Sequence, residues 1–214
     1  MAAEIVADPD AAVAGIADGS TVLVGGFGMA GLPFDLKRTD TKTKKLEDGG
    51  DYYAVNSKGS VPALRLDDGQ VLTEGPAILQ YIADQKPDSK LAPKAGTIER
   101  YRVLEWLNFI TSEIHKTFSP LFNPAADASV KSYVTQNLEK KFDWLNKQLA
   151  GKQYLTGDNF TIADAYLFVV VNWSNFVGID LGRWPALQQF QARVAARPKV
   201  QEALAAEGLL KKAA

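Results

Sequence analysis

Four side chains with useful chemistry recur at helical spacing near the middle of the chain. Asn108, Ser112 and His115 step by four and three, with Lys116 beside the imidazole, so a helix would line an amide, a hydroxyl, an imidazole and an ammonium along one face. Such a set can orient a polar ligand or hold a proton, and His115 is the chain's single histidine. The same stripe is also what an ordinary solvated helix face looks like. A second candidate is "DGSTVLVGGFGMAGLP", residues 18–33, where Gly26, Gly28 and Gly31 meet the G-x-G-x-x-G spacing of phosphate-cradling loops. Its surroundings argue against a dinucleotide. Pro33 follows Gly31 by two positions, and "FDLKRTDTKTKKLEDGG" is too polar and broken for the helix such a loop should open.

The composition narrows the chemistry. In 214 residues, Lys+Arg number 24 against Asp+Glu 25, so no basic excess marks a nucleic-acid surface and no such partner is expected. The chain has no cysteine, which removes disulfides, thiolate metal sites and a cysteine nucleophile, and one histidine argues against an imidazole metal site. The start "MAAEIVADPD" lacks the basic end and apolar core of a signal peptide, and no apolar run approaches the ~18 residues of a membrane span. A cytoplasmic protein with no membrane partner is the expectation.

The elements that must position these residues divide near "DQKPDSKLAPKAGT", residues 84–97. The reading is an α/β domain over 1–84, a linker over 85–97 and an all-helical domain over 98–214. "VPALRL" and "QVLTE" read as strands of a hairpin turned by Asp67, Asp68 and Gly69, and "GPAILQYIAD" as a helix with Pro76 in its first turn and Ala77, Ile78 and Tyr81 at helical spacing. Val103, Leu107, Ile110, Ile114 and Phe118 predict one long amphipathic helix over about Thr97 to Phe118. "SYVTQNLEKKFDWLNKQL" predicts another, through Val134, Leu138, Phe142 and Leu145. "NFTIADAYLFVVVNW" is apolar almost all round, as a buried helix is, and Thr161 with Asp164 forms a capping pair at its start. Two short helices broken at Pro198 end the chain.

From Phe34 onward, "DGGDYYAVNSKGSVPALRLDDGQVLTEGPAILQYIAD", "EWLNFITSEIHKTFSPLF" and "LTGDNFTIADAYLF" resemble a bacterial glutathione transferase of the beta class. The resemblance implies a thioredoxin-like N-terminal domain, an all-helical C-terminal domain and a homodimer. It implies a cis Val61-Pro62 bond that leaves the backbone at Val61 to pair with glutathione's cysteinyl part. Glu74 would take the γ-glutamyl ammonium, and Gly75, at a helix start, the neighbouring carboxylate. Lys44 is similar to a loop lysine that meets the glycyl carboxylate, with Lys42 and Lys45 close enough to compete for that role. Asn108, Ser112, His115 and Lys116 match the helix face that closes the glutathione cleft, and His115 is a candidate thiol-orienting or general-base residue as well as a plain wall residue.

The beta class places a cysteine and a serine beside the thiol, and this chain departs from it there. In an ungapped register Ser20 falls on that serine, but its neighbours Thr21 to Val24 favour a strand. Residues 1–33 instead resemble the N-terminus of a 3-oxoacid CoA-transferase α subunit. A strand–helix–strand unit must still precede Val61. "AEIVA", "DPDAAVAGIADG" and "TVLVGG" could supply it, leaving "FGMAGLPFDLKRTD" as loop; the alternative takes "TVLVGG" as first strand and "FDLKRTD" as second. The resemblance thus implies a glutathione transferase acting on apolar electrophiles, with no cofactor beyond glutathione as substrate and with its activity weakened by the atypical N-terminus. The alternative is an inactive dimeric binding protein of the same fold.

Overall fold

The protein is represented by a computed structural model, which describes residues 3–6, 34–37, 39–206 and 209. Two compact units share the chain: Met1–Ser89 together with Pro198–Ala214, and Lys90–Arg197. The last helix therefore groups with the first unit and not with the helical block that precedes it.

In the first unit, strands β1 (Ala3–Val6), β2 (Phe34–Lys37), β5 (Ala63–Arg65) and β6 (Val71–Thr73) form one sheet in the order β2-β1-β5-β6. β1 pairs parallel with β2, Ile5 opposite Leu36, and antiparallel with β5, Ile5 opposite Leu64. The short strands β3 (Thr39–Asp40) and β4 (Lys45–Leu46) pair separately. The first strand lies where "AEIVA" predicted it. The second is Phe34–Lys37, within the stretch that the preferred sequence reading left as loop and that the alternative took as the second strand. A parallel pair needs a crossover of a dozen residues or more, and residues 7–33 provide that length between β1 and β2. The predicted helix over 8–19 and strand at 21–26 lie outside the described residues.

The β5–β6 hairpin is as predicted. Gly69 takes φ +86° at its turn, which glycine adopts without a Cβ clash, and the Gly69 N–H donates to the Leu66 carbonyl at 2.9 Å. Helix α1 (Gly75–Gln85) follows β6 directly. Its buried face is Ile78, Leu79, Ile82 and Ala83, a small rotation from the predicted Ala77, Ile78 and Tyr81, so two of those three stand only half-buried.

The second unit is helical: α2 (Ile98–Phe109), a π-helical segment Ile110–His115, α3 (Lys116–Phe122), α4 (Ala128–Leu149), α5 (Ile162–Asn172), the short α6 (Ser174–Val177) and α7 (Pro185–Ala195). Helix α8 (Pro198–Ala206) belongs with the first unit. The predicted apolar faces are the core: Val103, Leu107, Ile110, Ile114 and Phe118 are buried, as are Leu138, Phe142 and Leu145 of α4. Helix α5 is buried on nearly every side. Its start is held by Asp164, whose carboxylate accepts from the Thr161 N–H at 2.8 Å, the Thr161 hydroxyl at 2.9 Å and the Leu155 N–H at 2.8 Å. No helix among the described residues is long and apolar enough to cross a membrane.

Candidate functional site

The predicted site residues fall in both units, and each group has its own local construction. In the first unit, the loop leading to Val61 is built around one carbonyl. A turn of 3-10 helix, Tyr52–Ala54, starts at Asp51, whose carboxylate accepts the Tyr53 N–H at 3.0 Å. The Tyr52 hydroxyl donates to the Ser60 carbonyl at 2.9 Å, and the Asn56 side-chain amide donates to the same carbonyl at 2.5 Å. Tyr52 is fully buried, which pushes its pKa up to about 12 and keeps it a donor at any ordinary pH. Asn56 also accepts the Lys58 N–H on its side chain at 3.1 Å and the Gly59 N–H on its backbone at 2.8 Å. The Val61-Pro62 bond that follows is cis, as the sequence implied. Tyr52 and Asn56 were not singled out from sequence; their work is visible only once Ser60 is placed between them.

Glu74 stands where β6 passes into α1, with φ 71° and ψ 115°. Residues other than glycine avoid this region, and such a conformation costs about 1–3 kcal/mol. Side chains that cap a helix start accept from its first N–H groups, but Glu74 makes no capping bond. Its side chain turns instead to Lys58, with Nζ 2.5 Å from Oε1, both groups being exposed. Pro76 has no N–H, and those of Ala77 and Ile78 donate to the Glu74 carbonyl at 3.0 Å each, so the Gly75 N–H is the one presented at the helix start. Lys44 sits in a tight turn with φ 57°; its N–H donates to the Asp40 carbonyl and its carbonyl accepts from Tyr52, both at 2.8 Å. The Thr43 and Lys42 N–H groups hold the Asp40 carboxyl below its usual range and fix that turn. Of the three candidate lysines, Lys44 is half-buried while Lys42 and Lys45 are exposed.

In the second unit the predicted stripe is split. Asn108, Ser112 and Lys116 lie at steps of four and are exposed, and the Ser112 hydroxyl donates to the Asn108 carbonyl of its own helix at 3.0 Å. His115 is half-buried. Its Nδ1 lies 2.7 Å from the hydroxyl of Tyr166, a buried residue of α5, and its ring meets Trp173 edge to face with centroids 4.8 Å apart. The Thr111 hydroxyl donates to the Leu107 carbonyl at 2.8 Å and lies 3.5 Å from the same Tyr166 hydroxyl. The π-helical segment Ile110–His115 explains the departure from a single face: a wider turn adds a residue to the register and swings His115 off the line through Asn108 and Ser112. Ile110, Ile114 and Phe118 step by four and four, a spacing that an ordinary α-helix face also shows, so nothing in the sequence marks the π segment.

Ser20 and the glycines Gly26, Gly28 and Gly31 lie outside the described residues. Among the described residues no group of three His, Cys, Asp or Glu side chains is placed to hold a metal ion.

Comparison with known proteins gives the chain's family and fold. The family model described as glutathione S-transferase, N-terminal domain, matches residues 28–85, and that described as glutathione S-transferase, C-terminal domain, matches residues 109–198. The chain is similar to glutathione S-transferase GstA of Escherichia coli O157:H7, 48% identical over 180 residues that cover 84% of this chain and 90% of that protein. Among solved structures it is similar to a sphingomonad glutathione S-transferase complexed with glutathione, at 41% identity and a TM-score of 0.87, covering 97% of this chain and 100% of that one. A bacterial beta class glutathione S-transferase from Sphingomonas chungbukensis matches at 42% identity and a TM-score of 0.87, with the same coverage. Nothing in these matches shows a CoA-transferase segment at residues 1–33, and the N-terminal family model begins inside that stretch.

Proposed function

The chain belongs to the glutathione S-transferase family, and from that premise we propose how its own residues serve the reaction. It is a glutathione transferase; the alternative of an inactive protein of the same fold finds no support among its relatives. In our reading, glutathione is a substrate that arrives and leaves, and its thiolate attacks the electrophilic carbon of an apolar small molecule. Glu74 accepts the γ-glutamyl ammonium and the Gly75 N–H meets the carboxylate beside it. The Val61 backbone, set by the cis bond to Pro62, pairs with the cysteinyl part, and Lys44 meets the glycyl carboxylate. The observation that carries this reading is Glu74 itself. Its backbone is held in a conformation that costs energy, its carboxylate does nothing for the helix it precedes, and its exposed pair with Lys58 is weak enough to leave that carboxylate to a ligand cation.

We extend the proposal to Asn108, Ser112, His115 and Lys116 as residues whose replacement alters glutathione binding or turnover. The chain has no cysteine, so a cysteine cannot activate the thiol. His115 offers two states for that task. With Nδ1 accepting from Tyr166, Nε2 carries the proton and can donate to a thiolate; with Nδ1 donating, Nε2 is a base. Sequence-derived boundaries at 84 and 98, a cytoplasmic location and a homodimer complete the reading. Sedimentation should give twice the 23.2 kDa of one chain; a monomer at micromolar concentration removes the dimer.

Retention on immobilised glutathione, with turnover of an activated aryl halide, tests the whole. The wild-type protein should be retained and active, and Glu74→Ala should flow through. Equal retention of both would overturn the assignment of Glu74.

A further inference from the structure

We propose that Lys58 is a resident counter-ion of Glu74 that the ammonium of the incoming γ-glutamyl group must displace, so that this lysine sets how strongly the site selects a ligand bearing that ammonium. The inference rests on the reading of Glu74 given above. Three observations carry it. The Lys58 Nζ lies 2.5 Å from the Glu74 Oε1, where a ligand ammonium would sit, and both are the same kind of charge on the same kind of donor. The lysine is delivered there by a fixed backbone: buried Asn56 accepts the N–H groups of Lys58 and Gly59 and donates to the Ser60 carbonyl. Gly59 takes φ +63°, and a Cβ there would lie 2.5 Å from the Tyr53 ring, so the turn that carries Lys58 is shaped for glycine. Finally, Glu74 has no other role for its carboxylate in the helix that follows.

The pair is also built to give way. The side chains are 50% and 66% exposed, and exposed ion pairs contribute little because water and salt screen them and the two long side chains must be ordered. Displacement should therefore weaken glutathione binding by about two- to five-fold relative to a chain without the lysine. Without a ligand, Lys58 keeps Glu74 neutralised. When a peptide without an ammonium enters, Lys58 stays in place, and the absence of that ammonium is partly masked.

The test uses the full chain and two ligands: glutathione and its deaminated analogue glutaryl-cysteinyl-glycine, with Lys58→Met to keep the stem and Lys58→Ala to remove it. Calorimetric titration should show glutathione binding about two- to five-fold tighter in both variants, with the analogue unchanged. The preference for the ammonium then widens by that factor. Weaker glutathione binding would make Lys58 a direct ligand contact, and equal or no change for both ligands would mean the pair does not compete; either overturns the proposal. If wild-type protein binds glutathione and only the widening is missing, Lys58 alone is misassigned. If wild type binds neither ligand, the reading of Glu74 falls with it.

Discussion

At the scale of single residues, function shows as a departure from what the local structure would choose. Glu74 occupies a positive-φ region where a Cβ adds strain, so Glu74→Gly should raise thermal stability by about 1 kcal/mol after allowing for glycine's larger unfolded-state entropy. The same variant should lose retention on glutathione. A variant that is less stable would show that the conformation carries no strain. His115 and Tyr166 make a second pair of this kind, joined at 2.7 Å. His115→Ala should lower kcat by about ten-fold or more if the imidazole holds or moves the thiol proton, and Tyr166→Phe should act in the same direction but less, with a changed pH profile. Unaltered turnover in His115→Ala would reduce the imidazole to a wall residue. The sequence pointed to Glu74, Gly75 and His115 but not to Lys58, Asn56 or Tyr166. These are partners 16, 4 and 51 positions from the groups they bind, and only the folded chain brings them together.

At the scale of elements, short-range patterns were legible and long-range pairings were not. The Asp67-Asp68-Gly69 turn, the apolar face of α2 and the Thr161–Asp164 cap are each written within a few residues. By contrast, Phe34–Lys37 is four residues in a polar stretch, offered as a strand only by the alternative reading, and its partner is β1 at the start of the chain, which that reading did not assign. The π segment shifts the register by an amount that strict helical periodicity does not anticipate. The cap of α5 yields a sharp expectation. Asp164 is wholly buried, and burial, outweighing its three hydrogen bonds, pushes its pKa up to about 6. A raised carboxyl favours the protonated form in the folded state. Its contribution is present below about pH 4 and is lost as pH rises through 6. The stability gap between wild type and Asp164→Asn should therefore widen in favour of wild type as pH falls from 7 to 5, read as the difference in Tm. Asp164→Ala leaves the Leu155 and Thr161 N–H groups unmet in a buried place and should cost about 3 kcal/mol at pH 7. A flat difference across that range would mean that Asp164 stays ionised throughout.

For the whole molecule, the family was legible from Phe34 onward because its motifs are long and ordered; the beginning was not, since residues 1–33 carry a likeness to another family that the relatives do not support. One consequence holds regardless of those residues' structure. Because the chain contains no cysteine, treatment with a maleimide followed by removal of the reagent should leave transferase activity unchanged. A loss would reveal an essential nucleophile of another kind. The imidazole packed edge to face against Trp173, at 4.8 Å, has a further use. A protonated imidazole quenches the emission of an adjacent indole, whereas a neutral one does so far less. The part of the fluorescence that changes with acidity and vanishes both in Trp173→Phe and in His115→Ala reports the charge of His115. The enzyme thus carries an optical gauge of its own candidate catalytic group.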